Sequence, residues 1–218
     1  MLMKLGTLVG AYLLGAVPWG VVLFRMAGRG DLRATGSGNI GATNALRSGG
    51  SALGIATLAL DVGKGAAAVA LTRALLHDPF WESLAAFGAV LGHCFPIFLG
   101  FRGGKGIATG CGAYGVLAPI PMALSMGVFA AAAGVTRMVS VGSLCAGAAL
   151  PLFAWWLTPQ TAIIVSAAAA AALTFARHRA NIARILSGTE RTLGRRGAAQ
   201  PDTPDGAPRH DDRRRAAP

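Results

Sequence analysis

Charge is what this sequence has least of. Only 13% of its 218 residues are Asp, Glu, Lys or Arg, where a soluble domain carries about 25%. Hydrophobic residues make up 53%, so water is not the bulk solvent around most of the chain. Acidic residues number nine against twenty basic ones. Lysine is scarcer still, confined to Lys4, Lys64 and Lys105. Three isolated cysteines, Cys94, Cys111 and Cys145, lie in apolar stretches. They offer neither a metal-binding spacing nor a disulfide framework. No metal or other cofactor is expected. The net charge of +11 does not imply nucleic acid, because the basic residues form no stripe along a soluble face. They gather in short connectors and in the last residues of the chain.

What the sequence has is long apolar runs, near residues 5–26, 52–76, 82–101, 107–118, 119–136, 141–157 and 160–176. A spanning helix needs about 17–25 apolar residues. The first run, behind Lys4, has the look of a signal peptide. Pro18 inside it and the lack of a small-residue cleavage site favour an uncleaved helix. The fold class expected is all-α, a polytopic integral membrane helix bundle.

Charge sets the expected orientation. Arg25, Arg29, Arg33 and Arg47 place residues 25–47 in the cytoplasm by the positive-inside rule, and the N-terminus outside. Arg102 and Lys105, and the basic segment from Arg177 onward, are expected on the same inner side. The chain must then cross an even number of times between Lys105 and Arg177. One helix over 107–136 leaves an odd number; two, turned at Pro119–Ile120–Pro121, give an even one. Seven transmembrane segments are therefore expected, with 107–118 too short to span fully. Residues 1–193 read as one membrane domain. Residues 194–218, rich in Arg, Asp, Pro and Gly, read as a disordered basic cytoplasmic tail.

The polar residues fall into three clusters, all on the expected inner side. The first is Gly36-Ser37-Gly38-Asn39-Ile40-Gly41-Ala42-Thr43-Asn44-Ala45-Leu46-Arg47. Its glycines let the backbone turn and offer consecutive N–H groups to an anion. Ser37, Asn39, Thr43 and Asn44 add neutral donors, and Arg47 adds a planar fork for phosphate. The second is Gly92-His93-Cys94-Phe95-Pro96 with Gly103-Gly104-Lys105-Gly106, which opens a helix whose free N–H groups favour anions. His93 is read as either a binding group or a structural one. The third is Arg177-His178-Arg179-Ala180-Asn181-Ile182-Ala183-Arg184, running on to Gly188-Thr189-Glu190. A continuous helix would place His178, Asn181 and Arg184 along one face. Lys64 either pairs with Asp61 at i, i+3 or contacts phosphate. Ser140 and Ser143 can each cap a helix, and Ser143 can instead reach the site.

The clusters supply donors and cations and no carboxylate pair. That chemistry suits a phosphate ester, and the membrane setting suits an amphiphile whose chain lies in lipid. An anion transporter would also use cations among helices, but near the bilayer midplane and often with an internal repeat; no repeat is visible. A non-enzymatic scaffold leaves the three motifs without a role.

At Ser-Gly-Asn-Ile-Gly-Ala-Thr-Asn-Ala-Leu-Arg (37–47), Gly-His-Cys-Phe-Pro-Ile-Phe-Leu-Gly-Phe-Arg-Gly-Gly-Lys-Gly (92–106) and His-Arg-Ala-Asn-Ile-Ala-Arg-Ile-Leu-Ser-Gly-Thr-Glu (178–190), the chain resembles the bacterial acyl-phosphate:glycerol-3-phosphate acyltransferases, the PlsY family. The resemblance covers about residues 5–192. It implies a seven-helix bundle in the cytoplasmic (inner) membrane with an inward-facing site. It implies transfer of a fatty acyl group from acyl phosphate to the 1-hydroxyl of glycerol 3-phosphate, the first acylation of phospholipid synthesis, without acyl-CoA, acyl carrier protein or metal. Ser37, Arg47, Lys105, His178 and Asn181 are the expected catalytic residues. Asn39, Thr43, Asn44, Lys64, His93, Gly103, Gly104, Gly106, Ser143, Arg184 and Glu190 are expected to bind substrate. His93 and His178 are candidate bases; a substrate phosphate taking the proton is the preferred reading, since no carboxylate stands beside a histidine in the motifs.

Overall fold

The computed structural model describes residues 1–193; the expected tail at 194–218 lies outside the described residues. Every regular element among them is helical: α1 (Leu2–Ala16), α2 (Trp19–Met26), α3 (Ala42–Gly49), α4 (Ser51–Leu76), α5 (Pro79–Cys94), α6 (Ile107–Leu117), α7 (Pro119–Thr136), α8 (Val139–Leu157), α9 (Thr161–Arg177) and α10 (Arg179–Leu186), with two short 3-10 turns. Local chemistry sets the boundaries. Pro18 has no N–H to continue a helix, and the chain bends 45° between α1 and α2. His77, in the left-handed conformation, ends α4. Asp78 then accepts a hydrogen bond from the Phe80 backbone N–H and caps α5, with Pro79 at its first position. Ala118 and Pro119 separate α6 from α7 at the turn expected from the two prolines.

By length and composition four helices can cross a membrane: α4, the stretch Pro79–Leu99 containing α5, α7 and α8. The bent pairs α1–α2 and α9–α10 raise this to six. With the shorter apolar helix α6 there are seven segments, a number compatible with the expectation. α6 has 11 residues, so it rises about 16 Å, roughly half of a 30 Å hydrocarbon layer. Its shortness has a local cause. After α5 the chain turns at Pro96 and Gly100, then climbs back until Gly106 packs against Val90 and Cys94. The third apolar run therefore does not stay helical to residue 101. Its last part is a folded-back loop, and the Gly-Gly-Lys-Gly segment lies inside the bundle.

Helices in lipid gain little from hydrophobic burial against one another; close packing must supply the attraction. Small residues provide it. A Cβ at Gly65 of α4 would collide with the Thr109 carbonyl oxygen of α6, and one at Gly112 of α6 with the Val62 carbonyl of α4. The same backbone-on-backbone contact joins α1 to α5 at Gly15 and Gly92. Overpacking costs about 1–3 kcal/mol where a core can yield, and here the obstacle is backbone. Gly112→Val should therefore lower the thermal midpoint in detergent and the monodisperse yield, while Gly115→Val, whose Cβ meets nothing within 4 Å, should change neither. Equal behaviour of the two variants in size-exclusion chromatography would contradict this packing.

Polar side chains inside the spans are mostly satisfied by their own helix. Thr57, Thr72, Ser83 and Ser125 each donate to the carbonyl four residues earlier. Of the ionisable ones, Asp61, Lys64 and His93 lie together toward the end that carries the three polar clusters, while Arg73 and Glu82 pair at 2.8 Å near the α4–α5 turn.

Candidate active site

Loop 35–41 is built around Asn44. Its Oδ1 accepts from the Ser37 N–H at 2.9 Å, and its two Nδ2 N–H groups are shared among the carbonyls of Asn39 (2.8 Å), Thr35 (3.1 Å) and Leu32 (3.2 Å). Asn39 Oδ1 takes the Gly41 N–H at 2.9 Å. Asn44 is buried at 2% exposure, so it shapes the loop, while Ser37 stands exposed on it. Thr43 is half-buried in the first turn of α3, and Arg47 projects from its last turn.

The second loop packs against His93. The Gly104 N–H donates to the His93 carbonyl at 3.0 Å. Side chains at Gly103 or Gly104 would strike His93 itself, and Gly106 holds φ at +83°. Glycine is thus required by both space and conformation. Arg177 completes the clamp: Nε and Nη2 donate to the carbonyls of Gly104 (2.9 Å) and Gly103 (2.6 Å), with the guanidinium 5.3 Å over the Phe95 ring. Lys105 follows, at the N-terminus of α6, where the first N–H groups have no intrahelical partner.

The third cluster closes the site. The chain bends 60° between α9 and α10, at His178, whose Nδ1 lies 2.8 Å from the Thr174 carbonyl. Nδ1 must carry the proton there, leaving Nε2 as an acceptor. Lys105 Nζ donates to Asn181 Oδ1 at 2.5 Å. Asn181 Nδ2 in turn donates to Glu190 Oε1 at 2.7 Å, and Arg184 Nε to Glu190 Oε2 at 2.8 Å. The segment after α10 reaches this place because the Leu193 N–H donates to the Arg137 carbonyl at 2.6 Å.

Electrostatics define what such a site wants. Arg47, Arg177, Arg184 and Glu190 all act on Lys105, and Glu190 is the one carboxylate among them. Burial, helped by the three arginines and opposed by Glu190, pulls the Lys105 ammonium down to about 8. Burial pushes the Glu190 carboxyl up, but the hydrogen bonds from Asn181 and Arg184 outweigh it and hold the group below its ordinary value. The surplus of positive charge, half removed from water, favours an added anion. No three His, Cys, Asp or Glu side chains converge as metal ligands among the described residues.

The structure thus brings Arg47, Lys105, His178, Asn181, Arg184 and Glu190 to one place beside the glycine loop. Three expected binding residues lie differently. Lys64 and His93 belong to an inner network described below. Ser143 Oγ donates to the Val139 carbonyl of its own helix at 2.8 Å. The neighbouring Ser140 is the serine that faces the Glu190 carboxylate, buried and without hydrogen-bond geometry. Arg177, read from sequence only as part of the third cluster, and Asp61, read only as a possible partner of Lys64, are two more contributors.

An all-helical integral membrane protein with a cation-rich, glycine-lined site at one end of the bundle is the class these features define. The glycerol-3-phosphate acyltransferase family model matches residues 5–188, and the chain belongs to that family. It is 52% identical over 186 residues to the glycerol-3-phosphate acyltransferase of Jannaschia sp. (strain CCS1), covering 85% of this chain and 90% of the relative. It is 48% identical over 196 residues to that of Paramagnetospirillum magneticum, covering 89% and 96%. The fold matches the crystal structure of PlsY, an integral membrane glycerol 3-phosphate acyltransferase, in its glycerol 3-phosphate form, with a TM-score of 0.84 and 34% identity over 88% of this chain and 96% of that one. Its lysophosphatidic acid form matches with a TM-score of 0.82 and 33% identity.

Proposed function

We propose that this protein transfers a fatty acyl group from acyl phosphate to the 1-hydroxyl of glycerol 3-phosphate, giving 1-acylglycerol 3-phosphate and phosphate at the start of phospholipid synthesis. The observation that carries the reading is the convergence of Arg47, Lys105 and Arg184 on one carboxylate, Glu190, in a chain of this family. The site faces the cytoplasm, the N-terminus lies outside, and the protein resides in the bacterial inner membrane; the Arg-rich connectors at the site end support that orientation.

Arg47, Lys105, His178 and Asn181, with Arg184, Glu190 and a serine of α8, hold glycerol 3-phosphate. Ser37, Asn39, Thr43 and the N–H groups of the loop that Asn44 shapes hold the acyl phosphate, whose chain lies in lipid. The 1-hydroxyl oxygen attacks the acyl carbonyl carbon. N–H donors stabilise the oxyanion that develops. The bond from carbon to the phosphate oxygen then breaks, and inorganic phosphate leaves. Holding two anions in line is the main task, and positioning is worth about 7–11 kcal/mol in favourable cases.

The hydroxyl proton goes to a substrate phosphate. His93 is a poor base, because its Nδ1 lies 2.9 Å from the Lys64 ammonium and so accepts, leaving the proton on Nε2. His178 has an acceptor nitrogen but a backbone carbonyl rather than a carboxylate behind it. His178→Ala should therefore weaken glycerol 3-phosphate binding more than it slows turnover. The purified protein, given radiolabelled glycerol 3-phosphate with acyl phosphate, should release labelled lysophosphatidic acid. Product formed from acyl-CoA and not from acyl phosphate would overturn the donor assignment.

Lys105 gives a pH dependence with two opposite signs. Glycerol 3-phosphate affinity should be greatest near pH 7, where its phosphate is a dianion (second pKa about 6) and Lys105 is still mostly protonated. It should then weaken as Lys105 loses its proton near 8. Stability of the free protein moves the other way. Between about 8 and the ordinary 10.5 the unfolded chain binds more protons than the folded one, so stability rises with pH through that window. Isothermal titration and thermal melts between pH 7 and 10 check both slopes.

A further inference from the structure

Lys64 sits beneath the glycine loop, where α4 and α5 meet the break between α1 and α2. It is 5% exposed. Its Nζ lies 2.8 Å from Asp61 Oδ1, 2.8 Å from the Val17 carbonyl and 2.9 Å from His93 Nδ1. An ammonium has three N–H donors; two are taken by the Val17 carbonyl and His93 Nδ1, and Asp61 holds the charge as an ion pair. Buried and already paired with a carboxylate, the ammonium faces protein groups rather than a substrate phosphate. Asp61, 1% exposed, supplies the countercharge that a buried ammonium needs, and it also stands 3.7 Å from His93 Nδ1.

The consequence passes through the imidazole. With Nδ1 accepting from Lys64, the proton of His93 sits on Nε2. That edge of the ring is where Gly104 packs: a Cβ on Gly104 would collide with Nε2. The backbone repeats the link, because the Gly104 N–H donates to the His93 carbonyl. Gly104 immediately precedes Lys105, and Arg177 clamps the same loop from its other side. Moving or rotating the His93 ring therefore moves the loop that presents Lys105.

We infer that Asp61 and Lys64 are positioning residues: the pair fixes the place and tautomer of His93, which in turn sets the height at which the glycine loop offers Lys105 to the phosphate of glycerol 3-phosphate. The inference rests on the function proposed above. It makes Lys64 and His93 supports of the site rather than ligands of the substrate.

The test uses the full-length protein in detergent, with wild-type acyl transfer from acyl phosphate measured first. Failure of that assay is failure of the functional reading and is seen before any variant is made. Removing Lys64 alone would strand a buried carboxylate, so the main variant is the neutral double Asp61→Asn/Lys64→Met, with His93→Gln beside it. For folded, monodisperse preparations of both, KM for glycerol 3-phosphate should rise about tenfold or more. KM for acyl phosphate should stay within about twofold, since a loop that holds one phosphate contributes uniform binding of that substrate. Thermodynamic cycles give the second readout. The penalty of the double variant should be non-additive with Lys105→Arg, which lies on the loop, and additive with Arg47→Lys, which lies on α3. If the double variant lowers kcat with both KM values unchanged, or if it adds independently to Lys105→Arg, the pair is merely structural and the inference falls. If it does not fold, His93→Gln decides alone: an unchanged KM for glycerol 3-phosphate overturns the inference, and a selective rise supports it.

Discussion

Lys105→Met is expected to lower kcat/KM for glycerol 3-phosphate by about ten- to several-thousandfold without unfolding the protein. Methionine keeps the length and apolar stem of lysine and removes the charge and the three donors. Lys105 Nζ donates to Asn181, and Asn181 donates to Glu190, so one truncation disturbs a chain of charged hydrogen bonds. A hydrogen bond to a charged group contributes about 1.5–3 kcal/mol. Truncating one partner of a buried charged pair costs about 2–5 kcal/mol, because the other is left unpaired. At about 1.4 kcal/mol per decade, this range corresponds to between ten- and several-thousandfold. The loss should appear chiefly in KM for glycerol 3-phosphate. Lys105 costs the free protein stability when protonated, so the variant should melt no lower than the wild type. Steady-state kinetics beside a thermal melt checks both parts. A melting temperature that falls together with activity would mean that Lys105 acts as a strut.

Asn44→Ala should abolish most of the activity by another route. Asn44 makes no contact that requires it to meet substrate. It ties Ser37, Asn39, Thr35 and Leu32 into a single loop conformation through four hydrogen bonds. Each is worth about 0.5–1.5 kcal/mol net, and a buried polar group left unsatisfied costs about 1–3 kcal/mol. The cost falls on a connector outside the spanning helices, so the bundle should still assemble. The donor loop should lose its shape, and acyl transfer should drop below about one per cent of wild type, which corresponds to the loss of roughly 3 kcal/mol. Asn44→Asp should not restore it. Aspartate can still accept from the Ser37 N–H, but it would set a carboxylate oxygen against three carbonyls. Recovery of activity in the aspartate variant would mean that the loop needs only the acceptor.

The apolar runs were legible because lipid imposes a length and a composition on whatever crosses it. The break at 118–119 was legible because two prolines mark it. The early end of α5 was not. Ile97, Phe98 and Phe101 are exposed at 49%, 60% and 56%, and in sequence an apolar loop lying along an interface cannot be told from a continuing helix. The glycine and cation clusters pointed as a set to a phosphate ester, since those residues are costly unless used, and the chain belongs to a glycerol-3-phosphate acyltransferase family. Individual roles were harder. Choosing between Ser140 and Ser143 needs the rotation of α8, which a single sequence does not contain. The pairing of Lys64 with Asp61 was readable from its i, i+3 spacing. Its bonds to Val17 and His93 were not, because those partners come from other helices, 47 and 29 positions away.

The break at Pro18 carries a consequence for how the molecule is made. When α1 and α2 enter the bilayer as nascent chain, the Val17 carbonyl has from its own segment only the turn contact with the Trp19 N–H at 3.1 Å, and a poorly paired carbonyl in hydrocarbon is costly. The ammonium that satisfies it in the finished protein lies 47 residues downstream. At a synthesis rate of about 5–20 residues per second, it emerges roughly 2–10 s later. Until α4 arrives, the bend is held by that turn alone. The Lys64 bond that fastens it is a late event in membrane insertion, completed together with the floor of the active site.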